Sequence, residues 1–280
     1  MNRLAALLSL TALVVAGGAL AAPSEDFVAE WKSWQARRLT TLKKPYGWLA
    51  LTDLHWLTPG SNRISGLPGA FELKDGQVTL VATLEDGYSV GGKLVARRTL
   101  ASDASDTPDR LLNGSRAAMV ISRGGKVALR VWDSESPVRK GFKGIATFPP
   151  DPRWRIQARW EAYPQPRPVE LPSVIGTPTS ELAPGRAWFT LDGKAYSLEP
   201  TQDGDSLFFV FKDRTAPRET YGGGRFLDAP PPRNGTVVLD FNRAYNPPCA
   251  FTSFATCPLP LPENVLPVRI EAGERAWSAH

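Results

Sequence analysis

The feature of this sequence that most constrains its fold is a series of short apolar segments separated by tight-turn residues. The segment Gln77–Val81 follows an Asp-Gly turn at 75–76, and residues 127–132 follow a Gly-Gly turn at 124–125. Both turns place residues that tolerate a positive φ between two apolar runs, which is the signal of a β-hairpin. The pattern recurs around the Asp-Gly turn at 192–193, and no helical segments alternate with these strands. The sequence therefore predicts a mainly β fold of antiparallel sandwich or barrel units rather than a parallel sheet.

One helix is expected before the β region, within residues 22–45. Ser24 suits the N-cap position, and Pro45 would end the helix. Phe27, Trp31 and Trp34 recur at i, i+4 and i+7, so they form one apolar stripe. We expect this stripe to pack on a sheet.

Composition divides the β region into two predicted units. The first spans residues 46–162, and the second spans residues 185–280 with a motif-rich tail. Between them, residues 163–184 contain six prolines. Because proline cannot donate to a β-ladder, this segment is interpreted as an extended connection. One continuous fold crossed by a Pro-rich segment is the alternative.

The first unit resembles forkhead-associated sandwiches in the order of its segments. Residues 58–65, 69–80 and 88–95 follow one another as an opening strand, a hairpin and a strand with a glycine turn. The Ser-x-x-His element that such domains use around phosphothreonine is missing. The resemblance therefore implies an architecture and no binding activity.

The first 21 residues have the features of a signal peptide. Arg3 precedes an apolar run over residues 4–20, and Ala19 and Ala21 flank a small-x-small cleavage site. A membrane anchor is the alternative, but the run is short and lacks a stop-transfer charge cluster. We expect export to the periplasm or the extracellular space, with no stable membrane anchor after cleavage.

Composition excludes several classes of function. The net charge is +5 and the basic residues are dispersed, so no nucleic-acid partner is expected. Of the two histidines, His280 is the last residue, so a Ser-His-Asp triad would have to use His55, and no Gly-x-Ser-x-Gly elbow is present. We predict no metal site and, without a P-loop or dinucleotide fingerprint, no cofactor.

The tail at residues 221–274 carries the candidate site. It combines arginine, asparagine, tyrosine and acidic side chains with prolines, and stiff polar loops of this kind hold side chains for binding. The predicted ligand-binding residues are Tyr221, Arg225, Asp240, Asn242, Arg243, Tyr245 and Asn246.

Three interpretations of the tail remain open. Arg225, Arg243 and the glycine backbone at 222–224 would form a pocket for a small anionic or polar ligand, which is the interpretation we favour. Alternatively, Asp240, Glu263 and Glu274 would supply the acid and base of a hydrolase. The third interpretation is a purely structural or protein-interaction module, in which the arginines pair with these carboxylates.

Cys249 and Cys257 are the only cysteines in the chain. In an oxidising compartment a disulfide between them is the default expectation. Two free thiols, with Cys249 as a nucleophile, are the alternative, although no neighbouring histidine is visible to activate that residue.

The tail also resembles the domain-of-unknown-function family 1684, a group of uncharacterised bacterial and archaeal proteins. The resemblance rests on Tyr-Gly-Gly-Gly-Arg-Phe at 221–226, Asp-Phe-Asn-Arg-Ala-Tyr-Asn-Pro-Pro-Cys-Ala-Phe at 240–251, Cys-Pro-Leu-Pro-Leu-Pro-Glu-Asn at 257–264 and Ala-Gly-Glu at 272–274. It extends from about Trp34 to Glu274. Since this family has no assigned activity, the resemblance indicates where a site lies and implies no reaction.

Overall fold

The structure is a computed structural model that describes residues 23–277. It is mostly β, with 44% strand and 16% helix in several antiparallel sheets. The mainly β prediction with an N-terminal helix is confirmed, and the sheets of the described part do not close into a barrel. The expected signal peptide lies outside the described residues.

The N-terminal helix α1 spans Glu25–Leu42. The Ser24 hydroxyl accepts a hydrogen bond from the backbone N–H of Phe27, as expected of an N-cap. Phe27 and Trp31 are buried beneath the helix, and the Trp31 indole donates to the Asn242 carbonyl at 3.1 Å. The apolar stripe therefore attaches α1 to the C-terminal tail.

Ten strands lie before residue 134, and they form two antiparallel sheets. The strands are β1 (Leu51–Trp56), β2 (Gly60–Ile64), β3 (Leu67–Lys74), β4 (Gln77–Val81), β5 (Ser89–Val90), β6 (Lys93–Leu94), β7 (Arg97–Leu100), β8 (Leu111–Asn113), β9 (Arg116–Arg123) and β10 (Lys126–Asp133). One sheet has the order β1-β10-β9-β8-β5-β6, and the other has the order β2-β3-β4-β7.

Two of the predicted turns close hairpins in this region. The Asp-Gly turn joins β3 to β4, where Lys74 pairs with Gln77, and Asp75 has a φ of 49°. The Gly-Gly turn joins β9 to β10, where Arg123 pairs with Lys126. The local turn chemistry therefore sets the register of both hairpins.

Seven strands follow, again in two antiparallel sheets. They are β11 (Arg155–Leu171), β12 (Thr179–Leu191), β13 (Lys194–Leu198), β14 (Thr201–Asp203), β15 (Ser206–Phe211), β16 (Arg225–Ala229) and β17 (Thr236–Asp240). The sheet orders are β13-β12-β11-β17 and β14-β15-β16.

Short helices connect these elements. They are α2 (Pro137–Gly141) and the 3-10 turns Trp48–Ala50, Leu84–Asp86, Pro152–Trp154, Phe241–Arg243, Pro248–Ala250 and Pro262–Asn264. None of the helices described is both long and apolar enough to cross a lipid bilayer.

The Pro-rich segment is extended, and β11 and β12 run into it and pair with each other. Its role as a connection between two units stays a prediction. The pairing shifts register between Ala162 and Arg167, which is where Pro164 and Pro166 lie. Proline therefore interrupts the ladder locally without ending the strand.

Apolar side chains form a core beneath each group of sheets, centred on Phe71 and Leu129 in the first and on Phe209 and Phe241 in the second. A third cluster joins Leu51 and Trp132 from the first predicted unit to Val210, Phe226 and Cys257 from the second. The two predicted units therefore share a packed junction. The boundary between them stays a prediction.

Candidate functional site

An open cleft of about 480 Å³ lies beside this junction, between α1 and the β14-β15-β16 sheet. Five aromatic side chains line the cleft: Trp34, Trp48, Phe208, Phe226 and Tyr245. Arg37, Arg38 and Asp228 supply its charged groups. The cleft thus combines an apolar wall with ionisable side chains.

Strand geometry builds the aromatic wall. Phe226 and Asp228 are two residues apart on β16 and so share one face, while Phe208 on β15 pairs with Asp228. Phe226 exchanges both backbone hydrogen bonds with Tyr245 at 2.9 Å. The Phe226 ring therefore sits between Phe208 and Tyr245, edge-to-face with both, at centroid distances of 4.8 and 5.8 Å.

The two arginines of the cleft differ in their partners. Arg38 donates from Nε to Glu274 at 3.0 Å and from Nη2 to the Asn246 carbonyl at 2.8 Å. Its guanidinium also lies 4.7 Å from the centre of the Tyr245 ring. Arg37 is exposed and donates to the Ser33 hydroxyl at 2.7 Å, and no carboxylate of residues 23–277 forms an ion pair with it. The Arg38 charge is balanced, and the Arg37 charge is not.

Asp228 is the carboxyl group of the cleft. It accepts a hydrogen bond from the Tyr245 hydroxyl at 3.3 Å, and no cationic side chain in the described part of the chain forms an ion pair with it. Although the Asp228 side chain is exposed at its surface, desolvation by the surrounding cleft walls raises its pKa, and the nearby charge of Asp203 adds to this. The Tyr245 hydrogen bond and the charge of Arg38 oppose the rise. Burial and the Asp228 charge likewise raise the pKa of the Tyr245 phenol. Asp228 is thus a carboxylate without a counter-ion.

Of the residues predicted from sequence, Tyr245 lines this cleft, whereas Arg225 lies in the interior with 1% of its surface exposed. Its Nη2 donates to Asp213 and to the Ile270 carbonyl at 3.0 Å each, and its Nη1 donates to the Ala272 carbonyl. The Arg225 donors are therefore already used within the protein, which fits the structural interpretation, and the anion pocket around Arg225 stays a prediction.

The Asp240 group joins the tail to α1 and to β11. Asp240 accepts from Arg155 Nε at 2.9 Å and lies 3.3 Å from Arg243 Nε. Arg155 and Arg243 both also bind Glu30 on α1. The Asn242 amide donates to Asp240 at 3.0 Å. This arrangement matches the structural interpretation of these residues.

The Glu274 group holds another turn of the tail. Glu274 is 2% exposed, binds Arg38 and accepts from the Asn246 backbone N–H at 2.7 Å. The Asn246 amide donates to the Arg275 carbonyl at 2.8 Å. Both side chains therefore face partners within the protein rather than the cleft.

Glu263 belongs to a third group, around Glu199. Its carboxylate lies 3.7 Å from Arg167 and 3.9 Å from Arg186. Both arginines bind the buried Glu199, at 2.7 and 2.5 Å. Burial opposes the ionisation of Glu199, but the hydrogen bonds from Arg167 and Arg186 outweigh it and lower the pKa of that carboxyl.

The three carboxylates expected to act in hydrolysis thus have separate arginine partners: Arg155 for Asp240, Arg167 for Glu263 and Arg38 for Glu274. None of the three lines the aromatic cleft. The structure does not bring them together as an acid–base pair.

The two cysteines lie side by side as free thiols, and the Tyr221 hydroxyl donates to the Cys249 carbonyl at 3.2 Å. The disulfide expected for an oxidising compartment stays a prediction. Across residues 23–277, no group of three or more His, Cys, Asp or Glu side chains is placed to hold a metal ion.

Sequence reasoning missed Arg37 and Asp228 as site residues, although each carried a local signal. Arg37 follows Trp34 by three positions, so both lie on one side of α1. Asp228 follows Phe226 by two positions, which places a charge on the aromatic face of a strand. Only the packing of α1 on the C-terminal tail brings the two signals to one cleft.

Comparison with known proteins gives a family but no activity. Residues 140–275 match the profile of a family described as Protein of unknown function (DUF1684). The search of curated proteins found no match. A solved structure, the solution NMR structure of an uncharacterized protein of Haloarcula marismortui, is 33% identical, with a TM-score of 0.42, and the match covers 49% of this chain and 78% of that one.

Proposed function

Because residues 140–275 belong to the DUF1684 family, whose description gives no activity, we propose a function from the cleft itself: the protein binds a small zwitterion with an apolar body. One observation carries this proposal. A single cleft holds a carboxyl and a guanidinium that have no ion-pair partner among residues 23–277, together with a wall of five aromatic rings.

Asp228 takes the positive group of the ligand. Its pKa is raised because desolvation by the cleft walls penalises the carboxylate more than the Tyr245 hydrogen bond and the Arg38 charge stabilise it. An ammonium group would supply the missing counter-charge. The faces of the neighbouring rings also attract cations, which adds to the preference for an amine over a neutral group.

Arg37 takes the negative group of the ligand. Its guanidinium presents a fork of N–H donors that matches a carboxylate, and among residues 23–277 it donates only to the Ser33 hydroxyl. Arg37 and Asp228 both have exposed side chains, so each charged contact is modest by itself. The Asp228 contact contributes more, because the Tyr245 hydroxyl orients that carboxyl and the neighbouring ring faces also attract the ammonium group.

The aromatic rings contact the apolar body of the ligand. A volume of about 480 Å³ lies in the range of small-molecule sites, which is about 300–1,000 Å³. This ligand class is a narrower form of the anionic or polar ligand expected from sequence. No observation favours the hydrolase alternative, because Asp240, Glu263 and Glu274 each face an arginine.

Isothermal titration with three related probes tests the proposal. L-phenylalanine carries both charges, phenethylamine only the ammonium, and phenylpropionate only the carboxylate. We expect L-phenylalanine to bind most tightly and phenethylamine to bind about tenfold more weakly, with phenylpropionate weaker still, since each charged hydrogen bond contributes roughly 1.5–3 kcal/mol when well formed.

Two substitutions assign the charged contacts. Asp228→Asn should weaken the binding of L-phenylalanine and phenethylamine and leave the affinity for phenylpropionate unchanged. Arg37→Gln should weaken the binding of L-phenylalanine and phenylpropionate and leave the affinity for phenethylamine unchanged. Asp205→Asn, in an exposed turn, and Lys32→Gln, exposed on α1, are the matched controls. Equal binding of all three probes, or no heat with any of them at millimolar concentration, would refute the proposal.

We also propose that the protein acts outside the cytoplasm, on the basis of the signal-like sequence over residues 1–21. Cell fractionation followed by N-terminal sequencing tests this proposal. The expected mature protein begins at Ala22. Full-length protein that stays in the cytoplasmic fraction would contradict it.

A further inference from the structure

The two cysteines contact each other through reciprocal hydrogen bonds. The Cys249 backbone N–H points at the Cys257 sulfur at 3.1 Å, and the Cys257 N–H points at the Cys249 sulfur at 3.4 Å. These contacts hold the sulfurs together, and N–H donors stabilise negative charge on sulfur. Cys257 is 5% exposed and Cys249 is partly exposed, so a reagent from solvent reaches Cys249 first.

A buried cation lies next to this pair. Arg130 on β10 is 7% exposed, its Nη2 donates to the hydroxyl of Thr256 at 3.3 Å, and its Nε has no partner. Thr256 directly precedes Cys257 in the chain, which places the guanidinium beside the thiols. The other face of Arg130 packs on the Trp48 ring, 5.3 Å from its centre.

No carboxylate of the described residues forms an ion pair with Arg130. The nearby carboxylate of Asp103 is already paired with Arg123 at 2.6 Å. A buried cation without a counter-ion is costly. A thiolate at Cys249 would provide that counter-ion, so Arg130 and the thiol pair are chemically complementary.

The acidities of the two thiols differ in a direction that fits their exposures. The hydrogen bond from Cys257 is the main cause that lowers the pKa of the Cys249 thiol, and the Arg130 charge contributes. The same hydrogen bond, together with burial, raises the pKa of the Cys257 thiol. The Cys249 thiol, which solvent can reach, is therefore the more readily ionised of the two.

We propose that Cys249 and Cys257 form a thiol–disulfide exchange site for small disulfides, in which Cys249 attacks, Cys257 resolves and Arg130 is a positioning residue for the attacking thiolate. This site shares Trp48 with the aromatic cleft, but it uses neither of the charged ligand contacts, Asp228 and Arg37, and does not depend on them.

The exchange proceeds in two steps. The Cys249 thiolate attacks one sulfur of a disulfide RSSR, which forms a mixed disulfide and releases RS⁻. The Cys257 thiol then gives its proton to solvent or to RS⁻ and attacks the Cys249 sulfur, which forms the internal bridge and releases a second RS⁻. The two electrons lost by the cysteines reduce RSSR to two thiols, so the balance needs no further oxidant.

Trapping the mixed disulfide tests the order of attack. The reduced protein and its Cys257→Ser and Cys249→Ser variants are treated with oxidised glutathione under argon and analysed by mass spectrometry. We expect an internal bridge in the wild type, a stable glutathione adduct on Cys249 in Cys257→Ser, and at least tenfold slower adduct formation in Cys249→Ser. A faster adduct on Cys257, or exchange only after unfolding in urea, would overturn the proposal.

The role of Arg130 has a separate readout, the pH profile of iodoacetamide alkylation of Cys249 in the Cys257→Ser background. We expect Arg130→Gln to move this profile to higher pH and to slow alkylation at pH 7 by about tenfold, because a lost cation shrinks the thiolate fraction. Arg130→Lys should restore most of the rate. Arg97→Gln, at an exposed surface, should leave the profile in place. If the pH profile of Cys249 alkylation is the same in Arg130→Gln as in the parent protein, Arg130 has no positioning role at this site.

Discussion

The replacement Arg225→Ala distinguishes a buried structural arginine from a ligand-binding one. In the folded protein Arg225 and Asp213 are each 1% exposed at the side chain and lie 3.0 Å apart. The substitution removes the guanidinium and leaves the Asp213 carboxylate in the interior. Asp213 keeps hydrogen bonds from Thr215 and from the Ile270 backbone N–H but loses its only cation.

The expected loss of stability follows from this geometry. Removing one partner of a buried ion pair costs about 3–5 kcal/mol, because the remaining charge has no counter-ion. For a chain of this size about 1 kcal/mol corresponds to roughly 2–4 °C in Tm, so Tm should fall by about 10 °C. Arg97→Ala is the control, because it breaks an exposed ion pair with Glu72. The Arg97 and Glu72 side chains are 66% and 44% exposed, so this change should cost at most about 1 kcal/mol.

Urea denaturation followed by tryptophan fluorescence measures both losses. Adding Asp213→Asn to the Arg225→Ala variant should recover about 1–2 kcal/mol, since it removes the stranded charge. The affinity for L-phenylalanine should be unchanged in any variant that folds. A loss for Arg225→Ala no larger than for Arg97→Ala, or no recovery in the double variant, would refute the reasoning.

Three further changes test the fold. Gly224→Ala should cost about 2–3 kcal/mol of unfolding free energy in urea denaturation, because Gly224 has a φ of +95° and a Cβ would lie 2.6 Å from the Phe211 carbonyl oxygen. Gly92→Ala is the control: Gly92 has a φ of +78° but open space around it, so this change should cost about 1 kcal/mol. Glu199→Gln should lower the free energy of unfolding at pH 7. Because folding lowers the pKa of Glu199, the difference between wild type and variant should shrink as the pH drops below the ordinary glutamate value of 4.5. Equal differences in unfolding free energy at pH 7 and pH 3.5 would contradict this. Phe209→Ala removes a fully buried ring and should cost about 3–5 kcal/mol, and a loss below about 1 kcal/mol would place Phe209 outside the core.

The parts of the fold that sequence predicted correctly are those set by local physics. The Ser24 cap and the Asp75 turn act within a few residues of themselves, and both formed as expected. The pairing within the Pro-rich segment could not be predicted from its prolines, because each proline removes only one backbone donor. Pro164 and Pro166 disturb the ladder only between Ala162 and Arg167, and β11 continues on both sides.

The site was harder to predict because its partners are distant in sequence. The tail motif containing Arg225 is conspicuous, but its partner Asp213 lies outside that motif, so the motif alone does not reveal the buried ion pair. Arg37 and Asp228 lie far apart in the sequence, and no local pattern predicts that α1 packs on the C-terminal tail. Tyr245 is the predicted residue that reached the cleft because its own backbone pairs with Phe226.

The cleft draws its two walls from different parts of the chain. Asp228 and Tyr245 lie within residues 140–275, the region matched by the family, whereas Trp34 and Arg37 lie on α1, outside it. A relative that shares only the matched region would keep the side of the cleft that carries Asp228 and Tyr245. The other side would be formed by whichever segment precedes that region. If the cleft is the binding site, ligand preference among relatives can therefore diverge through exchange of the N-terminal segment, while the family motifs themselves stay unchanged.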